Sequence, residues 1–169
     1  MGKLKYLRMV VVAMLALGTV VACQKKAAPV ATVAPAPTLG VPTDNNTDAW
    51  KAYVQQQVNI ELKGEYMRGR PYIYFVPSGD DEESTRQYEA QLDSVAGAVA
   101  RGIQSGSMIV FVSPDSAKLA TLVEESFKLA APRSLKGVRV LFIGAASERD
   151  RVTAAVAPSE ATFKFIATS

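Results

Sequence analysis

From Tyr72 to Ile166 the chain passes four times through a short run of β-branched and aromatic residues, and each interval between the runs holds a helical stripe. This alternation limits the available folds more than any other feature. The runs are Tyr72-Ile-Tyr-Phe-Val76, Met108-Ile-Val-Phe-Val112, Val138-Arg-Val-Leu-Phe-Ile143 and Ala161-Thr-Phe-Lys-Phe-Ile166. Their length and composition read as strands. In the first interval Tyr88, Leu92, Val95, Val99 and Ile103 share a helical face. The second offers Leu119, Leu122, Val123, Phe127 and Ala130 before Pro132, and the third a short helix from Glu148 to Ala157. Strands joined through helices need right-handed crossovers, which give a mostly parallel sheet. The expectation is an α/β sandwich of three layers, with four strands in the order 2-1-3-4 and helices on both faces. Met108–Val112 is apolar throughout, as a strand covered on both faces is. Lys164 marks the last strand as an edge.

A further helix precedes the sheet. Trp50, Val54, Val58 and Leu62 recur four apart with Tyr53 beside them, a buried helical stripe. Thr47 or Asp48 serves as its cap and Lys63-Gly64 as its stop. The single folded domain is therefore expected at residues 47–169, long enough to enclose one core. Residues 23–46 read differently. Pro29, Pro35, Pro37 and Pro42 punctuate a nearly uncharged stretch without an apolar face, which favours an extended tether. Lys25 and Lys26 at its start suit lipid head groups.

Ahead of the tether, an apolar run from Met9 to Ala22 follows Lys3, Lys5 and Arg8. A basic start and an apolar segment are the parts of an export signal, and the run is shorter than the roughly 20 residues of a spanning helix. Val20-Val21-Ala22-Cys23 resembles the lipobox of bacterial lipoproteins. The resemblance implies that residues 1–22 are a signal peptide cut between Ala22 and Cys23. It further implies that the Cys23 thiol receives a diacylglyceryl group and the new N-terminus an acyl chain. The lipid bilayer would then be a partner through acylated Cys23. Gln24 stands where inner-membrane lipoproteins of many enteric bacteria carry Asp, which implies the outer membrane, facing the periplasm.

The formal charge of the 169-residue chain is +3, and Lys3, Lys5 and Arg8 account for the whole excess. The remainder is balanced, so a nucleic-acid partner is not expected. The chain has no histidine, which excludes Ser-His-Asp catalysis and imidazole zinc sites. Cys23 is the only cysteine, and a lone cysteine forms no internal disulfide. Gly102-Ile-Gln-Ser-Gly106 misses the nucleophile-elbow spacing, and no glycine loop has the phosphate-binding pattern.

One constellation is suited to chemistry. In an open parallel sheet, ligands bind beyond the carboxyl ends of the strands, where the order reverses. Ser78, Gly79, Asp80, Asp81, Glu82 and Glu83 follow the first strand, Ser113 and Asp115 the second, and Gly144, Ser147, Glu148, Arg149 and Asp150 the third. Asp80, Asp81, Asp115 and Asp150 have the oxygens to hold magnesium, with a phosphate ester as the matching substrate. Ser78, Gly79, Ser113 and Ser147 would line a small-ligand rim. The same residues are also what helix starts require, because Ser and Asp cap free amides and acids offset the macrodipole. At the opposite end, Tyr66, Tyr72 and Tyr74 with Arg68 and Arg70 make either a binding surface or ordinary core packing. The expected function is a non-catalytic binding or assembly module for an envelope or secreted protein partner, with no cofactor. A magnesium-dependent phosphohydrolase or small-ligand binder is the alternative.

Overall fold

The computed structural model describes residues 38–168, so Ala22, Cys23, the apolar run and most of the tether lie outside the described residues. In chain order the elements are α1 (Thr47–Leu62), β1 (Tyr72–Phe75), α2 (Glu82–Arg101), β2 (Met108–Val112), α3 (Ser116–Phe127), β3 (Arg139–Ala145), α4 (Arg149–Val156) and β4 (Thr162–Thr168). Short 3-10 turns, Ala146–Glu148 and Ala157–Ser159, flank α4. The fold is α/β with four strands, every neighbouring pair parallel, and the first helix ahead of the sheet.

The strand order is 1-2-3-4, which corrects the expected 2-1-3-4. Burial explains the difference. β2 and the middle of β3 are buried at every position, while β1 and β4 alternate with exposed residues. The two most apolar strands therefore take the centre. Because each crossover steps in the same direction with one handedness, the three connecting helices fall on one face. Val95 and Val99 of α2, Leu119, Leu122 and Phe127 of α3, and Val152 and Val156 of α4 pack there on Ile109, Phe111, Val140, Phe142 and Phe165. Tyr74 stacks on Phe111 at 5.6 Å and Phe142 on Phe165 at 5.3 Å between ring centroids.

On the other face, α1 alone among the described helices covers the sheet. Trp50, Tyr53, Val54 and Val58 close over Met108, Val110, Val112, Leu141 and Ile143. A single helix is narrower than four strands, so β1 is incompletely covered: Ile73 remains 41 % exposed. Lys164 points from edge strand β4 towards α1 and pairs with Glu61 at 3.4 Å.

The cap of α1 is Asn46 rather than Thr47 or Asp48. Its side-chain oxygen accepts from the N–H groups of Asp48 and Ala49, each at 3.1 Å. The helix stops at Lys63, whose backbone enters the left-handed region with φ 46°. Contacts begin ahead of residue 47. Leu39 donates its N–H to Gln56 Oε1 at 2.9 Å, Val41 packs against the α1 cluster, and Trp50 Nε1 donates to Asp44 O at 2.7 Å. The last residues of the stretch expected as tether thus belong to the folded unit. Among the described residues no helix is long and apolar enough to cross a membrane.

Trp50 is 2 % exposed and anchors α1, the only helix on that face among the described residues. Trp50→Ala should lower stability by about 3–5 kcal/mol, through lost burial and the cavity left behind. Urea unfolding followed by far-UV circular dichroism measures this.

Candidate functional site

The carboxyl ends of the strands do carry the expected acids, and hydrogen bonding has already committed several of them. Asp81 caps α2: Oδ1 accepts from the N–H groups of Glu83 and Ser84, each at 3.0 Å, and Oδ2 accepts from Ser84 Oγ at 2.6 Å. Both carboxylate oxygens are therefore engaged. The Ser84 hydroxyl, then the backbone N–H groups, hold the Asp81 carboxyl below its ordinary pKa. Asp115 does the same for α3, accepting from Lys118 N–H at 3.0 Å, while Ser113 Oγ accepts from Asp115 N–H at 2.8 Å. Asp80 is fully exposed and lies 3.9 Å from Lys118 Nζ. That ammonium donates to Gly79 O at 2.6 Å, tying the loop after β1 to α3.

The remaining residues also serve structure. Ser78 and Asn45 form a three-bond clasp: Ser78 N–H and Oγ donate to Asn45 Oδ1 at 2.8 and 3.1 Å, and Asn45 Nδ2 donates to Ser78 O at 3.0 Å. Asn45 was not singled out in the sequence, where it sits in a polar turn without a pattern. Ser116 Oγ accepts from Ala145 N–H at 2.8 Å, fixing the start of α3 to the end of β3. Ser147 Oγ donates to its neighbour Glu148 at 3.0 Å. Asp150 lies in the first turn of α4, and Arg149 places its guanidinium 4.4 Å from the Phe165 ring centroid. Arg151 bridges α4 to α3 through Glu124 and also pairs with Glu148, at 2.5 and 3.0 Å. The hydrogen bond from Arg151 holds Glu124 below its ordinary pKa.

Asp80, Asp81, Asp115 and Asp150 are thus spread over three helix starts. Among the described residues no group of three or more Asp, Glu, His or Cys is gathered for a metal ion. Topology gives the reason. An order of 1-2-3-4 never reverses direction, so the sheet lacks the switch-point crevice on which the expected site depended.

What the surface offers instead is one apolar cleft and one of mixed lining. A cleft of about 300 Å³ between α1 and the β1 flank is lined by Thr47, Trp50, Lys51, Ile73, Phe75 and Val112. A second, of about 350 Å³, lies at the strand ends between Thr43, Trp50, Ser113, Ser116 and Thr168. At the opposite end of the sheet, Tyr74 is core, whereas Tyr66 is 82 % and Tyr72 52 % exposed. The core reading of these tyrosines holds for Tyr74 alone. Compared with known protein families, with curated proteins and with solved structures, the chain matches none.

Two outcomes are expected. Asp81→Ala should lower the melting temperature by a few degrees through loss of the α2 cap, and by the same amount with or without magnesium in a thermal scan. A magnesium-dependent rise that vanishes in the variant would restore the metal reading. The pH dependence has a defined sign. Asp81 and Glu124 both have lowered folded-state pKa values. Their stabilisation is complete above the ordinary carboxylate pKa of about 4 and is lost as pH falls through the lower folded-state values. Melting temperature against pH should therefore bend downward only in that acid range, and less steeply in Asp81→Ala.

Proposed function

We propose that this chain is a lipid-anchored envelope protein whose α/β domain works by binding a protein partner. The observation that carries the binding half is the β1 flank, where Ile73 and Phe75 line an open apolar cleft beside α1. Ile73, 41 % exposed, carries that surface to the open edge of the sheet. Apolar side chains beside free backbone donors and acceptors suit a strand or an apolar anchor from another chain. The commitment of Asp81 and Asp115 to helix starts weighs against chemistry at the strand ends.

The anchoring half rests on sequence. Val20-Val21-Ala22-Cys23 at the close of the apolar run supports cleavage before Cys23 and acylation there, with the outer membrane, periplasmic side, as the favoured address. An acyl anchor strengthens a weak binding face, because it confines both partners to one compartment and raises their effective concentration.

Intact-mass measurement should find a mature chain beginning at Cys23 and heavier by a diacylglyceryl group and an acyl chain. Cys23→Ala should remove both and release the protein from the membrane fraction; an unmodified cysteine would end the anchoring half. For the binding half, a photo-crosslinking amino acid at Ile73 should join the chain to one discrete protein in the intact envelope. The same group at Arg86, on the other side of the sheet, should not. Equal labelling from both positions would remove the β1 flank as a docking face.

A further inference from the structure

Charge is segregated along the strands. The loops at their N-terminal ends are stitched into one surface by backbone hydrogen bonds. Arg68 N–H donates to Gly106 O at 2.9 Å, Gly106 N–H to Gly137 O at 2.8 Å and Leu135 N–H to Ser159 O at 3.0 Å. This surface carries Lys63, Arg68, Arg70, Arg101, Arg133, Lys136 and Arg139. Its acids are Glu65 and Glu160, and both are taken: Arg139 lies 2.5 Å from Glu65 and Arg133 3.1 Å from Glu160. Lys63, Arg68, Arg70, Arg101 and Lys136 are exposed and have no carboxylate partner among the described residues. The opposite end holds Asp44, Asp48, Asp80, Asp81, Glu82 and Glu83, of which Asp48 pairs with Lys51, Asp80 with Lys118, and Glu82 and Glu83 with Arg86. The acids there are largely offset, whereas the exposed bases of the first surface are not.

The basic end is more than a field. Tyr66 and Tyr72 are exposed and interleave with Arg68 and Arg70. Tyrosine and arginine are the residues over-represented at the energetic centres of protein interfaces, and the planar guanidinium grips carboxylates with two parallel bonds. The bond from Arg68 N–H to Gly106 O holds this loop in place before any partner arrives.

We propose that the N-terminal ends of the strands form a docking surface for an acidic protein segment, anchored by Tyr66, Arg68, Arg70 and Tyr72. This deepens the binding reading and rests on it, since Tyr72 opens β1, the strand whose Ile73 and Phe75 line the apolar cleft. Charge complementarity selects an acidic partner. The two exposed tyrosines beside the arginines favour a protein segment over a bare phosphate surface.

Fluorescence anisotropy of a labelled decapeptide alternating Glu and Leu, added to the full-length chain in neutral nanodiscs, tests this. Binding should weaken steeply with salt. It should fall at least tenfold in Arg68→Glu/Arg70→Glu and several-fold in Tyr66→Ser. Arg86→Glu, at the acidic end, should leave it unchanged. Circular dichroism of each variant separates lost binding from lost fold, and Tyr66→Ser keeps the comparison if the double variant melts early. Equal affinity of wild type and double variant would overturn the proposal. So would tighter binding of labelled decathymidylate, of phosphatidylglycerol nanodiscs, or of a second copy of the chain than of the peptide. Failure here with successful crosslinking at Ile73 would remove the acidic partner and leave the binding reading standing.

Discussion

The structure depends on how one helix closes the second face of the sheet. Repeating the same crossover three times lays α2, α3 and α4 side by side on one surface and leaves the other without a connecting helix. Met108, Val110, Val112, Leu141 and Ile143 would face water there but for α1, and each buried aliphatic side chain contributes roughly 1.5–3 kcal/mol relative to exposure. The stripe of Trp50, Val54 and Val58 is thus as necessary to the fold as any strand. The same geometry creates the surface features. One helix cannot span four strands, so the β1 flank stays open.

Much of this was legible in the residues. Each strand and helix was recoverable because the apolar period switches between two and about 3.6 at turn residues. The ends moved by a residue or several: α3 stops at Phe127, before Pro132, and β4 runs on to Thr168. The strand order was not read correctly, although part of its signal was present. Met108–Val112 is apolar at every position and belongs inside the sheet, yet an order of 2-1-3-4 places it at an edge. The mixed composition of Tyr72–Phe75, with Pro71 before it, suited an edge instead.

The candidate site was legible in composition and not in arrangement. Ser, Asp and Glu gather after β1 and β2 because each of these strands is followed by a helix that an aspartate caps, and a sequence does not separate a cap from a ligand. Asp81 shows why: its oxygens are already filled by the two backbone N–H groups and the Ser84 hydroxyl. Conversely, Arg68, Arg101 and Lys136 lie far apart in sequence and stand at separate connections. Only the bonds from Arg68 to Gly106 and from Gly106 to Gly137 bring those loops together.

The Asn45–Ser78 clasp has a mechanical meaning. The chain joins the domain at residues 38–46, immediately before α1, so tension arriving from the N-terminal side meets the Leu39–Gln56 hydrogen bond and the Val41 contacts, and then this clasp and the Trp50–Asp44 hydrogen bond. Should they part, the load passes to α1, and peeling that helix bares the underside of β2 and β3. The hydrogen-bonded sheet and its three opposite helices stand outside this line of force. A pull on residues 38–46 would therefore unroof one face of the domain before it breaks a strand.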